Sequence, residues 1–192
     1  MKTIKSYYKD HLAKTKKMKR IIFGTLSVLV IISVFVFNKM YKSIMNTNVN
    51  NIENYSLYIH SEDDFETIKN KLYSDNIIID KKSFEWLAKK MEYPQYIKSG
   101  HYIIKNGMNN NQLLNMLRSG SQTPVDFTFN NIRTLEQLAR RIDEQIELDS
   151  LSFLNAVKKD STLKAMGFDD EKFAALFIPN TYELYWNIDA EE

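Results

Sequence analysis

Between Asn180 and Asn187 the chain reads Asn-Thr-Tyr-Glu-Leu-Tyr-Trp-Asn, three aromatic rings and two amides around one carboxylate, directly behind Pro179. That mixture suits a sugar: pyranose rings stack through their C–H faces on aromatic rings, and their hydroxyls hydrogen-bond to amides and carboxylates. On this reading Asn180, Tyr182, Glu183 and Trp186 line a substrate groove. The residues by themselves also admit a second reading, in which Tyr182, Tyr185 and Trp186 are core and Glu183 lies at its rim.

Other chemistry finds little support. Cysteine is absent, which excludes disulfides and thiolate metal sites. His11, His60 and His101 are scattered without a partner at metal-ligand spacing and read as ordinary surface or strand residues, so no metal site is expected. The five glycines form neither a phosphate loop nor a dinucleotide fingerprint, and no cofactor is expected. The acidic runs Glu62-Asp63-Asp64 and Asp169-Asp170-Glu171 stand where helices begin, and the helix dipole accounts for them.

The elements that position the 180–187 segment start at a membrane. Residues 21–37, IIFGTLSVLVIISVFVF, carry no charge and no proline, and their 17 residues reach the short end of the range that spans a bilayer. A core helix of this length would show a polar stripe, and a cleaved signal would end in small residues; neither is seen. Lys14, Lys16, Lys17, Lys19 and Arg20 precede the run, and only Lys39 and Lys42 follow closely. The positive-inside rule then puts residues 1–20 in the cytoplasm and the chain beyond residue 37 outside, an inner-membrane, single-pass arrangement with a periplasmic bulk. Seven lysines and one arginine among the first twenty residues, against Asp10, hide a mildly acidic remainder behind the net charge of +2. A folded part without a basic face makes nucleic acid an unexpected partner.

Outside the membrane, residues 38–54 are asparagine-rich and read as a spacer. Residues 55–122 read as a β-α-α-β unit followed by a helix: a strand at 55–60, a helix with Ser61 as N-cap and Phe65, Ile68 and Leu72 at helical spacing, and a second helix capped by Asp80. A strand at 101–104 follows, and then a helix that stops at Gly120. Residues 123–192 open with the alternating strand Val125, Phe127, Phe129. A helix with Thr134 and Gln137 as capping box comes next, then one with Phe153, Leu154 and Val157, then one with Phe173, Leu176 and Phe177. The fold class is α+β.

These residues resemble a known family. Gly100-His101-Tyr102-Ile103-Ile104, the Leu113-Leu114 to Gly120 helix end, Gln122-Thr123-Pro124-Val125, the run TLEQLARRI at 134–142 and above all Phe177-Ile178-Pro179-Asn180-Thr181-Tyr182 are together similar to the endolytic murein transglycosylases, the YceG-like proteins, in a Bacteroidetes-type form. The resemblance implies a LysM-like subdomain at 55–122 and the start of a YceG-like catalytic domain at 123–192. It implies lytic cleavage of nascent peptidoglycan glycan strands to 1,6-anhydromuramyl ends, with peptidoglycan synthases as possible partners. The family's catalytic glutamate stands in an Ala-Ser-Ile-Val-Glu-Lys-Glu type motif, which has no counterpart in these 192 residues. The expectation is therefore an N-terminal portion whose catalytic acid lies beyond Glu192. The Glu-Gly that often precedes the Phe-x-Pro segment corresponds here to Ala174-Ala175. The alternative is a non-catalytic, membrane-anchored glycan-binding or scaffold module.

Overall fold

The computed structural model describes residues 4–50, 53–159 and 178–190, and for residues 4–16 and Ser43 the backbone alone. The chain divides into two units, Met1–Asn46 and Thr47–Glu192.

The first unit is one helix, α1 (Ile4–Met45), of 42 residues. Its stretch Lys17–Lys42 is long and apolar enough to cross a membrane, with a mean hydropathy of 2.5. Two of the three hydroxyls in the uncharged run close on their own helix: Thr25 Oγ1 donates to the Ile22 carbonyl at 2.9 Å and Ser27 Oγ to that of Phe23 at 2.8 Å. In lipid no water would satisfy them, so this back-bonding lets polar residues sit in a spanning segment.

In the second unit, strands β1 (Tyr55–Ile59) and β2 (Gly100–Ile104) pair antiparallel, Tyr58 opposite His101, and helices α2 (Phe65–Ser74) and α3 (Lys81–Lys90) lie between them in sequence. Helix α4 (Asn110–Ser119) follows. Leu57, Ile59, Ile68, Leu72, Phe84, Tyr93, Tyr102, Ile104, Leu113, Leu114 and Leu117 are buried between these elements, and they include nearly all the periodic apolar positions of the sequence. Burial pushes the Tyr102 phenol up to about 12; burial and a 2.6 Å hydrogen bond to Asp75 do the same for Tyr55. Asp80 caps α3 and Gly120 ends α4 at φ 74°, a left-handed conformation that glycine adopts without steric cost.

Two local expectations change. The N-cap of α2 is Asp64, whose carboxylate accepts from Thr67 N at 2.7 Å, because Ser61 is engaged by Glu147 instead. Residues 47–50 are no spacer. Val49 is 1% exposed, and Asn48 is buried with its amide donating to Asp80 O at 3.1 Å and Asn110 Oδ1 at 2.6 Å while accepting from Asp80 N at 2.6 Å. Asn110 passes the chain of bonds to Ser83 Oγ at 2.9 Å. A primary amide both donates and accepts, so an asparagine can replace a missing strand partner at a helix start. Asparagine content signals a loop only where such partners are lacking.

The remaining elements are β3 (Val125–Phe129), α5 (Leu135–Gln145), α6 (Ser150–Lys159) and β4 (Asn180–Leu184), with β4 antiparallel to β3. A second core forms from Phe127, Phe129, Leu135, Leu138, Ala139, Ile142, Ile146, Phe153 and Trp186. Thr134 Oγ1 accepts from Gln137 N at 3.3 Å, but the Gln137 amide oxygen takes Arg133 N at 2.9 Å, so the box closes one residue early. The reciprocal capping box belongs to Asn109 and Gln112. The helix expected around Phe173 and Leu176 lies outside the described residues.

Candidate functional site

Register decides what the 180–187 segment presents. Asp126 stands opposite Glu183 and Thr128 opposite Thr181, while Phe127 stands opposite Tyr182 and Val125 opposite Leu184. Side chains alternate along a strand, so Tyr182 and Glu183 point to opposite faces of the two-stranded sheet. Tyr182 belongs with the apolar face: its ring stacks on Phe129 at 5.7 Å and 9°, and its hydroxyl donates to Ile178 O at 2.7 Å, leaving the residue 37% exposed. Glu183 is on the open face beside the Thr128–Thr181 hydroxyl pair at 2.8 Å. Asn180 is exposed at the strand start and accepts from Thr181 N at 2.8 Å.

Trp186 departs from the other three. It is 8% exposed and turns inward to the second core, while its ring meets Tyr58 at 5.1 Å and His60 at 4.8 Å, both edge-on. Edge-to-face rings carry an attraction beyond area burial, since a positive ring edge meets a negative face. Around this junction Glu147 N donates to Trp186 O at 2.8 Å, and the Glu147 carboxylate accepts from Ser61 Oγ at 3.0 Å and from Ser61 N, 3.7 Å from His60 Nδ1. Asn187 adds a second tie: its oxygen accepts from Gln122 Nε2 at 2.9 Å and its nitrogen donates to Ser99 Oγ at 2.9 Å. Gly100, at φ 139°, lies against that Gln122 side chain, and a Cβ there would collide with it.

The β1–β2 sheet and the β3–β4 sheet are thus fastened to each other by Tyr58, Ser99 and Glu147, which sequence reasoning passed over, and by His60 and Ser61, which it read as an ordinary histidine and a helix cap. His101 joins them. It is 6% exposed, its ring stacks on Tyr58 at 4.6 Å, Nδ1 lies 3.1 Å from Thr123 O, and Nε2 has no hydrogen-bond partner among the described residues. Strand alternation could have grouped Tyr58 with His60, but nothing local to residue 147 marks its carboxylate as a partner of Ser61.

Open clefts indent the described surface. One of about 270 Å³ is lined by Tyr96, Lys98, Asn115, Arg118 and Ser119, with the Arg118 guanidinium 4.9 Å over the Tyr96 ring. Another, about 540 Å³, is lined by Asn130, Asn131, Ile132, Gln137, Arg140, Arg141 and Glu144. No group of three or more metal-ligating residues occurs among the described residues. Asp126 and Glu183 are the paired carboxylates of the 180–187 face, and both are open to water, without the apolar enclosure that suits a general acid.

The model of the YceG-like family matches residues 57–192. The chain belongs to the YceG-like family. This is the endolytic murein transglycosylase family. The match takes in the junction and both folded parts except residues 47–56 of the first, and α1 precedes it. A crystal structure of a YceG-like protein from Listeria monocytogenes is similar at 20% identity and a TM-score of 0.44, over 69% of this chain and 48% of that one. The chain therefore spans about half the length of that YceG-like relative. No curated protein matches it.

Proposed function

We propose that this chain belongs to a membrane-anchored endolytic peptidoglycan lytic transglycosylase, with residues 1–20 in the cytoplasm and residues 47–192 on the periplasmic side. The YceG-like match over residues 57–192 carries this reading, and the apolar Lys17–Lys42 helix supports its anchorage. Basic residues concentrated before the span support the orientation.

In the reaction proposed, one glutamic acid protonates the oxygen that leaves C1 of a muramyl residue. The resulting carboxylate then takes the proton of the same sugar's C6 hydroxyl as that oxygen closes on C1. A glycosidic bond breaks, an intramolecular C–O bond forms, the proton returns to the acid, and no water is consumed. We assign residues of this chain to holding glycan: the β-α-α-β part as a LysM-like binding unit, and Asn180, Tyr182 and Glu183 as polar and stacking contacts. Trp186, two residues past the same strand, packs against both parts and holds them together.

The test uses the full 192-residue chain in detergent beside a YceG-like chain that also carries the Ala-Ser-Ile-Val-Glu-Lys-Glu type motif. Uncrosslinked glycan strands should bind to both, and anhydromuramyl ends should appear only with the second. Release by these 192 residues would put the acid within them, with Glu183 first in line. A chain with the motif that binds glycan and cuts nothing would favour the non-catalytic scaffold.

A further inference from the structure

On α5 the residues Gln137, Arg140, Arg141 and Glu144 recur at helical spacing opposite the apolar stripe Leu135, Leu138, Ala139 and Ile142. They form one wall of the 540 Å³ cleft, and Asn130, Asn131 and Ile132 of the β3–α5 loop form the other. That volume falls within the roughly 300–1,000 Å³ of ligand sites. The loop is held in shape, not merely left over. Asn131 takes φ 55°, a left-handed conformation that asparagine tolerates better than most residues, and the Gln137 amide oxygen accepts Arg133 N.

The charges in the cleft do not balance. Arg141 Nη1 donates to Glu144 at 2.8 Å, which uses the only carboxylate of the lining, and Arg140 has no acidic partner among the described residues. A guanidinium presents donors in a planar fork that matches a carboxylate. Place matters as well: Phe129, one residue before Asn130, is the register partner of Asn180, so the cleft opens at the end of the sheet where β4 begins.

We propose that this cleft binds a carboxylate of the peptides that branch from the glycan, with Arg140 as its counter-ion and the Asn130–Asn131 amides as flanking hydrogen-bond donors. The proposal rests on peptidoglycan being the substrate, and it adds that peptide-bearing strands are distinguished from bare ones. The cleft would recognise acid, and the β4 contacts would recognise sugar.

The experiment measures binding of the full chain in detergent to soluble uncrosslinked glycan strands, either carrying their peptides or stripped of them by an amidase. Wild type should prefer peptide-bearing strands by about tenfold, the worth of one charge-assisted contact. Arg140→Gln should abolish that preference without changing affinity for stripped strands or the melting temperature. Glu144→Gln, which frees Arg141, should sharpen the preference. Equal binding of both strands by wild type, or an Arg140→Gln protein that keeps the preference, overturns the cleft assignment and leaves the glycan reading standing. Failure of both strands to bind overturns the glycan reading and the cleft assignment together.

Discussion

Tyr58, on β1, and Trp186, two residues past β4, meet edge-on with ring centroids 5.1 Å apart, although 128 positions separate them in the numbering. Trp186 is thereby shared between the second core and the junction. Trp186→Ala should cost on the order of 3–5 kcal/mol and lower the melting temperature accordingly. Glu183→Gln, on the open face, should stay within about 0.5 kcal/mol while weakening glycan binding. A thermal melt of each variant, read beside a binding isotherm, separates packing from contact. Wild-type glycan binding by Glu183→Gln would remove that residue from the site.

Glu147 should behave as a clasp. Its carboxylate accepts both the backbone N–H and the hydroxyl of Ser61. Hydrogen bonds to a charged group contribute about 1.5–3 kcal/mol. Glu147→Ala should therefore cost at least about 1 kcal/mol in denaturant unfolding, and combined with Ser61→Ala it should cost less than the sum. Strict additivity in the cycle would show that the hydroxyl bond contributes nothing, since Ser61→Ala keeps the backbone N–H.

The buried amide at position 48 supports α3. Asn48→Ala takes the acceptor from the part-buried Asp80 N–H and one donor from the Asn110 amide oxygen, and an unmade hydrogen bond at such a site costs on the order of 1–3 kcal/mol. The variant should melt several degrees lower, and amide exchange should speed up first at the start of α3. Wild-type exchange there would mean that water replaces the asparagine.

Acid should weaken the turn before α2 through Asp63. Burial works to raise its pKa, but the Lys71 hydrogen bond, the His60 backbone and both nearby charges outweigh this, so the carboxyl sits below its usual value. A depressed folded pKa means stability that is present above the unfolded value of about 3.9 and lost as pH falls through the folded one. Asp63→Asn should accordingly lose stability near pH 7 and little below pH 3, giving a flatter melting-temperature profile in acid. Parallel profiles for the two proteins would refute the assignment.

Topology can be read with a reporter that works only outside the cytoplasm, fused after residue 50. It should be active, and changing Leu29 and Val30 to Arg should silence it, at about 2.5–3.5 kcal/mol per charge near mid-bilayer. An inactive unmutated fusion would reverse the orientation.

What the sequence determined by itself was local. The uncharged 21–37 run, the periodic apolar positions of α2 to α5, the caps at Asp80 and Gly120 and the alternating strand at Val125 all depend on a side chain and neighbours within one or two turns, so spacing alone exposes them. The resemblance of the Phe-Ile-Pro-Asn-Thr-Tyr segment pointed to the family for the same reason, being a contiguous run. Tertiary structure alone decided which way that segment faces. Pairing with β3 sent Tyr182 and Glu183 to opposite sides, and Trp186 left the row to pack against Tyr58 and His60. It also converted Asn48 from apparent spacer to buried bracket and joined Ser61 to Glu147 across 86 positions. Those choices depend on which distant partner satisfies a polar group or covers a ring, and no periodicity within a short window records the partner's identity.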